Sequence, residues 1–279
     1  MKWQGRRGSD NVEDRRGMST GTKVVGGGIG TLVIVLLVYL LGGDPSGILQ
    51  QSGSTETAGP VEASEEENAM AQFVSVVLAD TEEVWGKIFA QSGATYRQPT
   101  LVLFRDQVQS ACGYATAASG PFYCPGDEKV YIDLSFFDDL RAKYGVYGDF
   151  AIAYVVAHEI GHHVQNQMGI LDEVQNERQR LSEVRGNQLT VRLELQADFL
   201  AGVWAHYASK MFNSIEEGDI EEALNAAASI GDDVLQKKYQ GRVVPDSFTH
   251  GTAAQRSSWL RKGWETGDLN QGDTFAAAI

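Results

Sequence analysis

The run Asp149–Met168, DFAIAYVVAHEIGHHVQNQM, decides how this chain reads. Its first half is almost wholly apolar, Asp149 is a good N-cap and Gly169 stands where a helix ends, so the stretch reads as one well-bounded helix. Inside it lies His158-Glu159-Ile160-Gly161-His162. Residues four apart share a helix face, so both imidazoles can turn towards one ion. Glu159 lies about 100° round the helix from His158, within reach of a water held by that ion. Zinc brings the pKa of such a water towards neutrality, and a carboxylate beside it can take the proton. The spacing points to a zinc-dependent hydrolase with one Zn2+ per chain, His158 and His162 as ligands and Glu159 as general base.

A catalytic zinc wants a third protein ligand and one open position. The metzincin pattern would continue with Gly and His, but Gln165 and Met168 stand there, which excludes that class. Further on, Glu194-Leu195-Gln196-Ala197-Asp198 puts a Glu and an Asp on one helical face, among Leu193, Phe199 and Leu200. Two carboxylates in so apolar a stretch need a reason. Either Glu194 or Asp198 can supply the third ligand. A ligating histidine generally gives its other N–H to a carboxylate or carbonyl, which suits Asp198 to holding an imidazole in place.

Before this region the chain carries 18 uncharged residues from Val24 to Leu41, long enough as a helix to cross a hydrocarbon core. The whole chain has a net charge of −14, but residues 1–43 hold six bases against three acids. The bases all precede the apolar run, so the positive-inside rule predicts a cytoplasmic N-terminus and an exported domain in a bacterial inner membrane. A cleaved signal peptide fits less well, because the apolar run is long and no A-x-A site follows. The expected organisation is a basic N-terminal segment 1–23, a transmembrane helix 24–41, a flexible linker 42–65 rich in Gly, Ser, Thr and Glu, and a catalytic domain 66–279. An acidic domain repels phosphate backbones, which argues against nucleic acid as a partner. Cys112 and Cys124 are twelve apart with Gly113, Gly120 and Pro121 between them, and in an oxidising compartment they are expected to form a disulfide.

Apolar spacing predicts helices over Glu66–Gln91, Asn187–Phe212, Asp219–Ile230 and Thr252–Trp264, with short β-type runs at Thr100–Phe104 and Lys129–Leu134. Asn270–Ile279 reads as a fraying tail. The fold class is α+β: a mostly helical body with a small antiparallel sheet. His163 and His206 read as structural.

The paired motifs resemble those of gluzincins such as the thermolysin-like enzymes, where the Glu of the second motif binds zinc and the Asp holds a ligand histidine. That resemblance assigns the same roles to Glu194 and Asp198. It also implies a strand that binds extended substrate along the cleft, expected at Val130-Tyr131-Ile132-Asp133. Phe248-Thr249-His250-Gly251-Thr252, with Arg256 downstream, is similar to the Thr-His-Pro segment of HtpX-like and CaaX-processing membrane proteases. By that likeness His250 and Arg256 are expected to be catalytic, as donors to the transition state, although Gly251 replaces the proline. Over nearly its whole length the chain resembles the bacterial neutral zinc metallopeptidases called YpfJ-like. The resemblance is carried by Trp3-Gln4-Gly5-Arg6-Arg7, Asn11-Val12-Glu13-Asp14-Arg15-Arg16, Gly120-Pro121-Phe122-Tyr123-Cys124-Pro125, His158–His163 and Glu194–Asp198. It implies a membrane-anchored zincin acting on protein or peptide. The alternative is an inactive zincin that serves as an envelope scaffold, but Glu159 has no use in a site that only binds.

Overall fold

The computed structural model describes residues 1–17 and 63–279. The expected transmembrane helix 24–41 and nearly all of the linker 42–65 lie outside the described residues. No helix among the described residues is long and apolar enough to cross a membrane.

Helix α1, Glu65–Gln91, opens on a capping box in which Ser64 accepts from Glu67 N and the Glu67 side chain accepts from Ser64 N. Six strands follow or precede it: β1 Val12–Asp14, β2 Thr100–Phe104, β3 Gln107–Ser110, β4 Gly113–Thr116, β5 Phe122–Cys124 and β6 Lys129–Asp133. The main sheet has the order β1-β2-β6-β5, and β3-β4 form a separate hairpin. The small sheet is not the antiparallel one expected: β1, β2 and β6 run parallel, and only β5 is antiparallel to its neighbour. Parallel strands are covered on both faces and therefore read as unbroken apolar runs, as TLVLF does. Leu101, Leu103, Val130 and Ile132 face the main core, while Val102, Phe104 and Tyr131 face a second cluster with Val108 and Cys124.

The rest is helical: α2 Ser135–Tyr144, α3 Asp149–Gln167, α4 Ile170–Arg178, α5 Glu183–Phe212, α6 Asp219–Ser229, α7 Asp232–Gln240 and α8 Ala253–Thr266. The predicted long helices stand within a few residues of their expected bounds, whereas α2, α4 and α7 were not foreseen. Asp149 is the first residue of α3 and not its cap; the cap is Gly148, at φ 102°. Glycine also sets how closely helices approach. A Cβ on Gly202 would lie 2.1 Å from Leu260 O, and one on Gly263 2.0 Å from Phe199 O, so α5 and α8 cross backbone against backbone.

Two chain ends behave differently from expectation. The tail does not fray: Thr274 is fully buried, its hydroxyl donates to Arg192 O, and the Arg192 guanidinium donates to the carbonyls of Thr274, Phe275 and Ala277. The N-terminal residues do not form a separate segment either. Residues Met1–Arg15 belong to one unit with Ser64–Ile279. Strand β1 pairs with β2, Trp3 packs edge-on to Phe73 at 5.4 Å, and Asn11 Nδ2 donates to Glu82 at 2.8 Å. Arg6 makes a bidentate pair with Asp80 at 2.6 and 2.7 Å and lies over the Phe212 ring. Residues Met1–Arg15 thus pack as part of the same unit as the helical body.

Arg6→Ala tests this packing. Asp80 is 3 % exposed, and its burial outweighs Arg6 and lifts its carboxyl to about 6. Removing the partner of a buried carboxylate is expected to cost about 2–3 kcal/mol in denaturant unfolding near pH 8. A folded pKa above the unfolded value means the folded state takes up the proton, so the loss shrinks as pH falls towards 5. A variant as stable as the parent at pH 8 would remove the N-terminal segment from the fold.

Candidate metal centre and cleft

Helix α3 brings His158, Glu159 and His162 to the floor of a cleft of about 850 Å³. Helix α5 packs across it, and Gly161 makes the approach possible: a Cβ there would lie 2.9 Å from Ala197 O. This contact places Glu194 opposite both histidines. Glu194 Oε2 is 3.2 Å from His158 Nε2, and Oε1 is 3.5 Å from His162 Nε2. Ligands about 2.0–2.1 Å from a tetrahedral zinc stand about 3.3 Å from one another, so these three side chains fit that ion. His158, His162 and Glu194 are also one of two groups among the described residues able to share a cation.

Each imidazole is oriented through its other nitrogen. His158 Nδ1 lies 2.8 Å from Asp198 Oδ1, and His162 Nδ1 lies 2.9 Å from Gln165 Oε1. Both Nε2 lone pairs are thereby left to the ion, the arrangement that fixes tautomer and ring direction in metal sites. Of the two candidates for third ligand, Glu194 faces Nε2 of both rings and Asp198 stands behind His158. Gln165 was not recognised as part of the site. Its amide is held in turn by Leu193 O at 2.8 Å and Gln196 Oε1 at 3.0 Å. The signal was its position, one turn beyond His162 on the same helix.

Arg256 is 3 % exposed, donates from Nε to Asp198 Oδ2 at 2.9 Å and from Nη2 to Asp198 Oδ1 and the Tyr154 hydroxyl at 3.0 Å. These bonds make Arg256 a positioning residue for Asp198, and it also borders the cleft. Tyr154 completes the network, donating to Asp198 Oδ1 at 2.6 Å. Burial works against the Asp198 charge, but Arg256 and His158 hold its carboxyl down at about 2. Burial also opposes ionisation of Glu194, and the two histidines outweigh it and keep it a carboxylate.

His250 is exposed and borders the same cleft. Its segment is held by one carboxylate: Asp232 Oδ2 accepts from the backbone N–H groups of Thr249, His250 and Gly251 at 2.7, 2.6 and 3.0 Å. Asp232 Oδ1 is 3.4 Å from His250 Nδ1, and this contact raises the imidazole pKa even though burial lowers it. Glu159, on α3, also borders the cleft.

The strand expected to bind substrate pairs with β2 along its whole length but with β5 only at Lys129, Val130 and Tyr131, so Ile132 and Asp133 have no partner in β5. Val130, Tyr131, Ile132 and Asp133 form β6, which is hydrogen-bonded to β2 on one side and β5 on the other. Asp133 instead caps local turns, accepting from Asp106 N and Ser135 N. The outer strand at this end of the sheet is β5, and Gly120, Pro121, Phe122 and Tyr123 line the cleft. The Cys112–Cys124 disulfide joins the turn of the β3-β4 hairpin to this strand, as expected. His163 is structural: it contacts Arg97 O at 2.6 Å and the Tyr123 hydroxyl at 3.0 Å, tying α3 to β5. His206 does have a partner, Trp264 O at 2.7 Å.

Relatives share this chain from end to end. "Uncharacterized protein YpfJ" of Escherichia coli (strain K12) is 48% identical over 288 residues and covers 100% of both chains. "Uncharacterized protein Rv2575" of Mycobacterium tuberculosis (strain ATCC 25618 / H37Rv) is 40% identical over 258 residues, 86% of this chain and 85% of that one. No solved structure matches. The model of one family covers residues 1–275, and by this match the chain belongs to the family described as "Putative neutral zinc metallopeptidase".

Proposed function

We propose that this protein is a zinc-dependent endopeptidase that hydrolyses protein or peptide substrates outside the cytoplasm. The observation that carries the reading is the placement of His158 Nε2, His162 Nε2 and Glu194 around one point, with Glu159 beside them in an open cleft. A zinc ion in this site supplies Lewis acidity, polarising a scissile carbonyl and making a water acidic near neutral pH. Glu159 takes the proton of the attacking water and returns it to the leaving amine nitrogen. His250, set by Asp232, donates a hydrogen bond to the oxygen on which negative charge develops. Asp198 and Gln165 keep the two imidazoles turned inward, and Arg256 with Tyr154 fixes Asp198. Extended substrate lies along the outer edge of β5, where main-chain groups at the end of the sheet can pair with it.

The disulfide supports an oxidising compartment. Apolar residues 24–41 are proposed to hold the protein to a bilayer, and the β1-β2 pairing favours both flanking parts lying on the same side.

The full chain with one equivalent of zinc should cleave an unfolded protein such as casein, lose this on chelation and regain it with zinc. Tight zinc binding without cleavage of any unfolded substrate would contradict the peptidase reading and leave the scaffold alternative.

A further inference from the structure

Helix α7 and the turn behind it carry charge of the opposite sign to the chain as a whole. Residues 234–243, VLQKKYQGRV, hold three bases and no acid, in a chain whose net charge is −14. Helix α7 has no buried residue. Val234, Lys237, Lys238, Tyr239, Arg242 and Val243 are all exposed. Val234, Lys237 and Lys238 stand three and four residues apart and share a helix face. Gly241, at φ 71°, ends the helix and leads into Arg242 and Val243.

The acids bordering this surface are committed elsewhere. Asp139 pairs with Lys143 at 2.6 Å. Asp232 accepts from the backbone of residues 249–251, and Asp233 Oδ1 accepts from Ala253 N at 2.8 Å. Lys238 lies over the rings of Tyr144 and Tyr239, at 4.8 and 5.5 Å, and donates to Lys143 O. Helices α2 and α7 thus share one surface of bases, tyrosine rings and valines. Protein interfaces are depleted of lysine at their centres, whereas lysine stands at the centre here. At a bilayer, tyrosine sits at headgroup level with its ring in the apolar boundary, and lysine and arginine beside it meet anionic headgroups.

We propose that this surface rests on an anionic bilayer. The uncharged run 24–41 points independently to the same partner. Leu235, one turn before Tyr239, borders the metal cleft, as do Lys143 and Tyr144. Contact through this surface therefore brings the mouth of the cleft to the headgroups, where a chain segment emerging from the bilayer can enter it. That consequence for the substrate rests on the peptidase reading; the lipid contact does not.

Tyr239→Cys gives the described residues a single free thiol, because Cys112 and Cys124 are joined. A fluorophore on that thiol is read in the full chain with phosphatidylcholine vesicles carrying a headgroup nitroxide quencher, with and without phosphatidylglycerol. Three bases at an anionic surface favour contact by about 10²-fold. Quenching is therefore expected with phosphatidylglycerol, fading as salt is added. It should be lost when Lys237→Glu, Lys238→Glu and Arg242→Glu are combined. Equal quenching in both kinds of vesicle, or quenching that survives the three substitutions, would overturn the proposal. A surface that serves a protein or a second copy of the chain would leave the label unquenched in both, which overturns it as well. The three substitutions should also slow cleavage of a substrate tethered to anionic vesicles and leave cleavage of soluble casein unchanged. Failure of the parent to cleave casein would end the peptidase reading alone, since the quenching does not depend on it.

Discussion

Glu159→Gln is expected to keep its zinc and lose cleavage of unfolded protein by about 10²–10⁴-fold in kcat. The amide retains the size and seat of the carboxylate, so the fold and the three ligands stay in place. It cannot accept a proton at neutral pH, and the two carboxylates set around the histidines are already engaged: Glu194 faces both imidazoles and Asp198 is bonded to His158, Tyr154 and Arg256. Zinc content by elemental analysis and initial rates on a fluorogenic unfolded substrate give the two halves of the result. Parent-like cleavage by this variant would show that another group moves the proton. Loss of zinc together with activity would give Glu159 a structural role.

The second large effect is expected at Arg256. Arg256→Ala leaves the Asp198 carboxylate, fully buried, with His158 and Tyr154 but without its guanidinium. Breaking a buried ion pair by removing one partner costs about 3–5 kcal/mol, to be read by denaturant unfolding. Because Asp198 orients His158, zinc affinity should also fall about 10–100-fold, the usual cost of losing an outer partner of a ligand. With zinc in excess the remaining folded variant should recover most of its kcat. A transition-state donor would behave in the opposite way: stability and zinc affinity unchanged, and kcat low at any zinc concentration. Arg256→Lys separates the two further, since it preserves charge but not the two-pronged contact with Asp198.

The metal helix was legible because its evidence is local. His158, Glu159 and His162 follow one helical turn, and Glu194 with Asp198 follows the next apolar helix at the same spacing. The faces of these two helices meet because of Gly161, a residue that the motif contains but whose contact with Ala197 no periodicity reveals. The contact of Arg256 with Asp198 was hidden for the same reason. The distance of Arg256 from His250 along the chain suggested a shared role, whereas α8 turns it inward to Asp198, 58 residues away in sequence.

The sheet was misread because β6 was judged alone. Its apolar run reflects side chains covered on both faces of the sheet, and its neighbours are β2 along its length and β5 at residues 129–131. The N-terminal motif was the least legible part. Arg6, Ser9 and Asn11 find Asp80 and Glu82 some seventy residues on, at buried positions of α1. A basic segment ahead of an apolar run reads as juxtamembrane charge until these partners are known. The unexpected acids in the apolar face of α1 were the available signal: Asp80 and Glu82 lie between Leu78 and Val84, where charge needs a partner.

The central claim is a single divalent ion held by two imidazoles of α3 and one carboxylate of α5. A crystal structure of the zinc-loaded full chain, with anomalous data at the zinc edge, tests it most directly. The account predicts one strong peak about 2.0–2.1 Å from His158 Nε2, His162 Nε2 and a Glu194 oxygen, with Asp198 outside the coordination sphere. A peak at Asp149, Asp219 and Glu222 alone, or zinc ligated by Asp198 in place of Glu194, would contradict it.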